Sequence, residues 1–130
     1  MRQLFIILVA VAAVTMSCSR ETPPDTAASK AAQALYDKLL KGDYEGFVNG
    51  MYFPDRIPDG YRRQLVANAK MFIANQSKEH EGISEANVIR QERDSLSPTV
   101  EVFILLSYKD STQEEIVVPM IESEGVWLMQ

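Results

Sequence analysis

The stretch "TVEVFILLSYKDSTQEEIVVPMIESEGVWLMQ", residues 99–130, alternates apolar and polar side chains along most of its length. A period of two marks a strand whose two faces meet different surroundings, because successive side chains point to opposite sides of a sheet. Val100, Val102, Ile104, Leu106 and Tyr108 share one face of a first strand, while Phe103 and Leu105 take the other. The middle of that strand is therefore apolar on both sides, and something must cover its second face; an oligomer contact or sheet curvature would do so. Asp110-Ser111-Thr112 has turn composition. A second strand follows, with Ile116, Val118 and Met120 alternating against Val117 and Ile121. Pro119 lacks the N–H that a ladder needs, which places it at an edge or a bulge. Ser123-Glu124-Gly125 makes one more tight turn before a last strand, "VWLMQ".

Upstream, "SEANVIRQERDS" (84–95) reads as a weaker strand, polar enough to lie half exposed or at an edge. Before Gly82 the period lengthens to that of helices. Tyr61, Leu65, Ala69, Phe72, Ile73 and Gln76 trace one face of a helix with Asp59 as its N-cap; Arg62, Arg63, Asn68 and Lys70 fall elsewhere and are expected to be wet. A short helix, "DYEGFVNGM", starts from Asp43 as cap, and Pro54 and Pro58 punctuate the loop after it. The first helix begins near Thr26, whose hydroxyl can cap it. It buries Ala28, Ala31, Leu35 and Leu39, with Tyr36 and Leu40 alongside, and ends at Gly42. Helices followed by hairpin-linked strands predict an α+β domain over residues 27–130: N-terminal helices packed on an antiparallel sheet of about four strands, a sheet that the family resemblance given below implies is curved.

The chain begins "MRQLFIILVAVAAVTMSCSR". Arg2 gives a positive start, and Leu4 to Val14 are uninterruptedly apolar. At about 1.5 Å per residue, that run covers roughly half of a hydrocarbon core about 30 Å thick. It suits a signal peptide and is too short for a lasting span. Ser17 then precedes Cys18, the sole cysteine. This arrangement resembles the lipobox of bacterial lipoproteins, with Thr15 where that motif favours Leu. The resemblance implies cleavage after Ser17 and a diacylglycerol on Cys18, hence residues 1–17 as leader and residues 18–26 as lipidated cysteine and tether. Several acyl chains hold a membrane far more firmly than one. Pro23-Pro24 keeps the tether extended. The partner implied is a membrane, and Ser19 after the cysteine favours the outer membrane of a Gram-negative envelope.

The formal charge is −5, and −6 once Arg2 leaves with the leader. Nucleic-acid binders concentrate Lys and Arg on one face. Arg62-Arg63 is the densest basic spot here, so no nucleic-acid partner is expected.

The run "LYDKLLKGDYEGFVNGM" (35–51) and the ending "EGVWLMQ" (124–130) resemble the nuclear-transport-factor-2-like (SnoaL-like, cystatin-like) superfamily. The likeness rests on Gly42-Asp43-Tyr44 before the second helix and on Gly125 and Trp127 in the last strand. It implies a cone-shaped domain whose open end can hold a small apolar ligand. Some members are isomerases or dehydratases, and others only bind or serve in assembly; fold alone does not choose.

Acid/base chemistry in such a cone uses a histidine, or an aspartate helped by a tyrosine. His80, the only histidine, lies in the polar run "SKEHEG" and reads as a helix C-terminus favoured by the dipole. Asp43, Asp55 and Asp59 sit beside Gly or Pro or at helix starts, where capping and turns explain them. Glu114-Glu115, Glu122 and Glu124 read as solvated edge charges, and Trp127 as packing beneath the first helix. No ligand set for a metal is present, and no cofactor is expected. Tyr52-Phe53, in the Pro-containing loop, is the candidate pocket mouth. The expected function is a lipid-anchored, non-catalytic binding or accessory domain whose partner is a small apolar ligand or an envelope protein. The alternatives are an isomerase or hydratase with an Asp/Tyr pair, and a structural homodimer.

Overall fold

The computed structural model describes residues 26–93 and 95–130. The expected leader, Cys18 and the expected tether up to residue 25 lie outside the described residues. Three helices, α1 (Ala27–Leu40), α2 (Tyr44–Asn49) and α3 (Asp59–His80), precede four strands. The strands are β1 (Ile83–Arg93), β2 (Thr99–Tyr108), β3 (Gln113–Ser123) and β4 (Val126–Met129). They form one antiparallel meander in the order β1-β2-β3-β4. The α+β architecture read from the sequence is the one observed.

The core lies between α1 and the sheet face that carries Val100, Val102, Ile104, Leu106 and Tyr108 of β2 with Val118 and Met120 of β3. Ala28, Ala32, Leu35 and Leu39 of α1 close it from above, and Val48 and Phe47 of α2 add to it. Ala32, rather than Ala31, is the fully buried alanine on the middle turn.

Phe103 points to the opposite face and is nonetheless 9% exposed. Its cover comes from within the chain. The Arg90 guanidinium lies 3.9 Å from the ring centroid, held there by pairing with Glu115. A cation on a ring face is attracted by the aromatic quadrupole, and the Arg stem shields the apolar edge. Cross-strand Val117 stays half exposed.

Two turns are set by backbone conformation. Glu124 and Gly125 both have positive φ (51° and 81°) between Ser123 and Val126, the geometry of a two-residue hairpin loop whose twist matches the strands. Pro119 pairs with Glu101 of β2 and accepts a hydrogen bond from Gln130 N on its other side. Its missing donor thus faces the position just past the end of β4, a local edge as the sequence requires. In β1, register shifts at Ile83/Glu85 and Val88/Arg90 bend the strand, since an unpaired extra residue adds local twist.

The caps divide into one success and two corrections. Asp43 caps α2, accepting from Gly46 N at 3.0 Å. Thr26 precedes α1 without capping it through its side chain. Its hydroxyl donates instead to Gln91 Oε1, which also accepts from Ser29 Oγ at 2.5 Å. Ser29 and Gln91 are both buried, so the hydroxyls satisfy a polar group that burial would otherwise penalise. Asp59 is the first residue of α3 and Pro58 occupies the cap, where its fixed φ suits the entry and Asp59 meets the positive end of the helix. The helix ends with Glu81 in the left-handed region (φ 63°), one residue before Gly82.

Candidate functional site

The loop from α2 to α3 is bound to the last strand. Tyr52 N donates to Met129 O and Met129 N donates to Gly50 O, each at 2.7 Å, so Met51 makes a parallel bridge with Met129. The loop therefore runs beside β4 and leaves a cleft of about 490 Å³ between its outer side and the start of α3. Met51, Phe53, Ile57, Arg62 and Leu128 are among its walls. Phe53 stands edge-on to Tyr61 with ring centroids 6.2 Å apart. Tyr52 is half buried and contributes its backbone to the β4 contact, not a side chain to the cleft lining. Of the two aromatic residues singled out from sequence, Phe53 lines the concavity.

On the other side of Met51 lies a smaller pocket of about 220 Å³. It exists because α3 sits loosely: only Ala69 of its length is buried, and Leu65 and Phe72 are half buried. Tyr36 and Leu39 of α1, Phe47 of α2, Met51, and Leu65, Asn68, Ala69 and Phe72 of α3 form the walls. Tyr36 and Phe47 meet edge to face at 5.5 Å, which fixes one wall. Met51 belongs to both concavities, and its flexible thioether can adjust where they adjoin. No Asp, Glu or His lines the inner pocket. Burial pushes the Tyr36 hydroxyl above its ordinary value, so it stays a neutral hydrogen-bonding group at physiological pH. This pocket can bind apolar matter and orient it with Tyr36 and Asn68. It holds no acid/base pair. Sequence periodicity named most of these wall residues as core, and nothing local distinguished a filled face from a hollow one.

The remaining polar cluster is at the far end of α3. His80 Nδ1 lies 2.9 Å from Asp110 Oδ2, and the imidazole stacks on Tyr108 with ring centroids 4.2 Å apart. Tyr108 Oη donates to Glu114 Oε2 at 2.7 Å, and Thr112 Oγ1 donates to Asp110. Asp110 is held below the usual carboxylate range, first by its Thr112 hydrogen bond and next by His80. His80 does sit at the helix C-terminus, but it is a cross-link to the β2–β3 turn as well. Glu114 and Glu115, read as solvated charges, are each committed, to Tyr108 and Arg90. Thr112 approaches the same His80 nitrogen, at 3.4 Å, that faces Asp110. A nucleophile–base–carboxylate relay needs its two partners on opposite imidazole nitrogens. The cluster fastens a helix to a hairpin and is not such a relay.

Asp43 caps α2, and Asp55 and Asp59 border the outer cleft without facing the inner pocket. Trp127 is half buried against the core, with the Arg93 guanidinium 5.8 Å from its ring. Among the described residues no group of three or more His, Cys, Asp or Glu could hold a metal ion. No helix among them is long and apolar enough to cross a membrane.

No protein-family model matches the sequence, and no curated protein sequence matches it. The structure is similar to the crystal structure of a provisionally named NTF2-like transpeptidase from Campylobacter jejuni, at a TM-score of 0.59 and 14% identity. The match covers 80% of this chain and 97% of that one. Helices followed by an open four-stranded antiparallel sheet are thus the fold of the nuclear-transport-factor-2-like group, as the motifs around Asp43 and Trp127 imply.

Proposed function

We propose that this NTF2-like domain is a lipid-anchored, non-catalytic binding module of a bacterial envelope, taking a small apolar ligand into the pocket between α1, α2 and α3. The observation that carries the reading is the chemistry of that pocket: Leu39, Phe47, Met51, Leu65, Ala69 and Phe72 around Tyr36 and Asn68, with no carboxylate or imidazole. Burial of apolar surface at about 25 cal/mol per Å² then supplies affinity, and the two polar groups supply orientation. The membrane partner rests on the resemblance of the segment ending at Ser17-Cys18 to a lipobox and on the length of its apolar run.

An isomerase or hydratase would need a carboxylate facing the apolar pocket, and none lines it. The similar structure is named a transpeptidase, a reaction that calls for an activated nucleophile. The His80–Asp110 pair does not present one, as described above. The lining of the inner pocket and the geometry of the His80–Asp110 pair thus favour neither enzymatic reading.

Native mass spectrometry of the protein purified from its own membrane tests the proposal. The expected result is a lipidated mature chain carrying a bound apolar molecule that is lost in Ala69→Phe, a substitution that fills the pocket. A non-lipidated chain with the leader attached would refute the anchor, and a ligand retained by Ala69→Phe would refute the pocket. Cys18→Ser should release the protein from the membrane fraction.

A further inference from the structure

We propose that a second site, the cleft between α2 and α3, binds a small organic anion that carries a short apolar tail. The cleft measures about 370 Å³ and shares no wall residue with the apolar pocket, so this proposal does not depend on the previous one. Its size is within the range of about 300–1,000 Å³ usual for small-molecule sites.

Three cations face it, Arg62, Arg63 and Lys70, against one carboxylate, Glu45. This local excess of positive charge stands on a chain whose formal charge is −5. The cations lie on neighbouring rows of α3 because residues four apart repeat along a helix: Arg62, Val66 and Lys70 on one row, Arg63 and Ala67 on the next. Val66 and Ala67, half buried, make an apolar floor between the charges. None of the ion pairs among the described residues uses Arg62, Arg63 or Lys70. Asn49 Oδ1 accepts from Arg62 Nη1, which fixes the guanidinium while leaving its charge unneutralised. Lys70 Nζ lies 5.9 Å from the Tyr44 ring centroid, on the α2 side of the cleft.

An anion held by a positioned guanidinium and a nearby ammonium gains charge-assisted hydrogen bonds, which are stronger than neutral ones. The apolar floor then has surface to offer a few methylenes, and the cleft has far more room than one tetrahedral oxyanion needs. The shared chemistry is a phosphate or carboxylate on a short hydrocarbon, from either a soluble ester or a lipid headgroup.

The test uses the full chain in the presence of phosphatidylcholine nanodiscs, titrated calorimetrically with hexyl phosphate, inorganic phosphate and hexanol. Hexyl phosphate should bind more tightly than either of the others, and more weakly as salt is raised. The Arg63→Gln/Lys70→Gln double variant, whose exposed side chains leave the fold intact, should bind it about tenfold more weakly or worse. Arg62→Gln should act in the same direction. Arg56→Gln, in the outer cleft, should bind as the unsubstituted chain does. Competition by added phosphatidylglycerol would identify the lipid headgroup as the source, and its absence a soluble ester. Hexanol binding as tightly as hexyl phosphate would overturn the proposal. So would unchanged affinity in the double variant, or a loss caused by Arg56→Gln alone.

Discussion

The side-chain amide of Gln33 on α1 is bonded across to the free edge of β1, where it accepts from Val88 N at 2.9 Å. The same amide donates to Ala86 O at 2.6 Å. Residues 86 and 88 have equal parity in the strand, so both point their backbone groups away from β2. A carboxamide has the donor and acceptor of a peptide unit and here stands in for a fifth strand. Two backbone groups of an edge that could otherwise pair with another chain, Ala86 O and Val88 N, are thereby satisfied by one residue.

Gln33→Leu should therefore cost about 1–3 kcal/mol, the penalty of leaving half-buried backbone groups without partners. Hydrogen exchange at the Val88 amide, measured by NMR, should accelerate more than at Ile104. An unchanged Val88 rate would show that the bond to Gln33 does not protect that amide.

Gly50 is pressed against Leu35. A Cβ on Gly50 would stand 2.0 Å from Leu35 Cδ2 and 2.9 Å from its Cγ. Leu35 is buried in the core and has little freedom to retreat. Gly50→Ala should lose about 1–3 kcal/mol by overpacking in urea denaturation. Adding Leu35→Ala should cost less than the sum of the two single changes, because the two positions share the clash.

At acid pH the β2–β3 turn should fail early. Asp110 has its folded pKa lowered below 3.8 by Thr112 and His80. A lowered carboxylate pKa contributes stability above the unfolded value and loses it as pH falls through the folded one. Stability should thus decline as pH drops below about 3.8, and the part due to Asp110 should be missing in Asp110→Asn. Acid titration of both proteins by circular dichroism checks this; parallel curves would refute it.

At the alkaline end, Tyr108 should resist ionisation. Burial, and then its hydrogen bond to Glu114, raise its pKa from 10.0 to about 12. A raised tyrosine pKa stabilises the fold below 10.0 and gives that up as pH rises through about 12. Ultraviolet titration should show a tyrosinate component near 12 that vanishes in Tyr108→Phe.

Strand order and the buried face of β2 were legible because alternation is a local signal that burial on one face imposes. Asp43 was legible for the same reason, since a cap bonds only three residues away. Thr26 misled because its hydroxyl reaches Gln91, far along the chain, and no local pattern records such a choice. Gln33 was silent on similar grounds: a polar residue beside an apolar stripe looks solvated until the strand it serves is in place. The candidate sites were legible in parts. Phe53 stood out as an aromatic residue in a loop, and Arg62-Arg63 as a basic pair. Lys70, two turns on, completes the row only when α2 is known to face it. The inner pocket is a shortfall in packing, and periodicity cannot tell a half-seated helix from a full one.

The bridge between Met51 and Met129 joins positions from opposite halves of the chain. Any event that peels the final hairpin from its neighbour, whether denaturant, a docking protein or a bulky fusion behind Gln130, would unfasten the proline loop at the same moment. The wall that Met51 lends to both concavities would then shift with β4, so the shortest of the described strands helps shape hollows that it only partly borders.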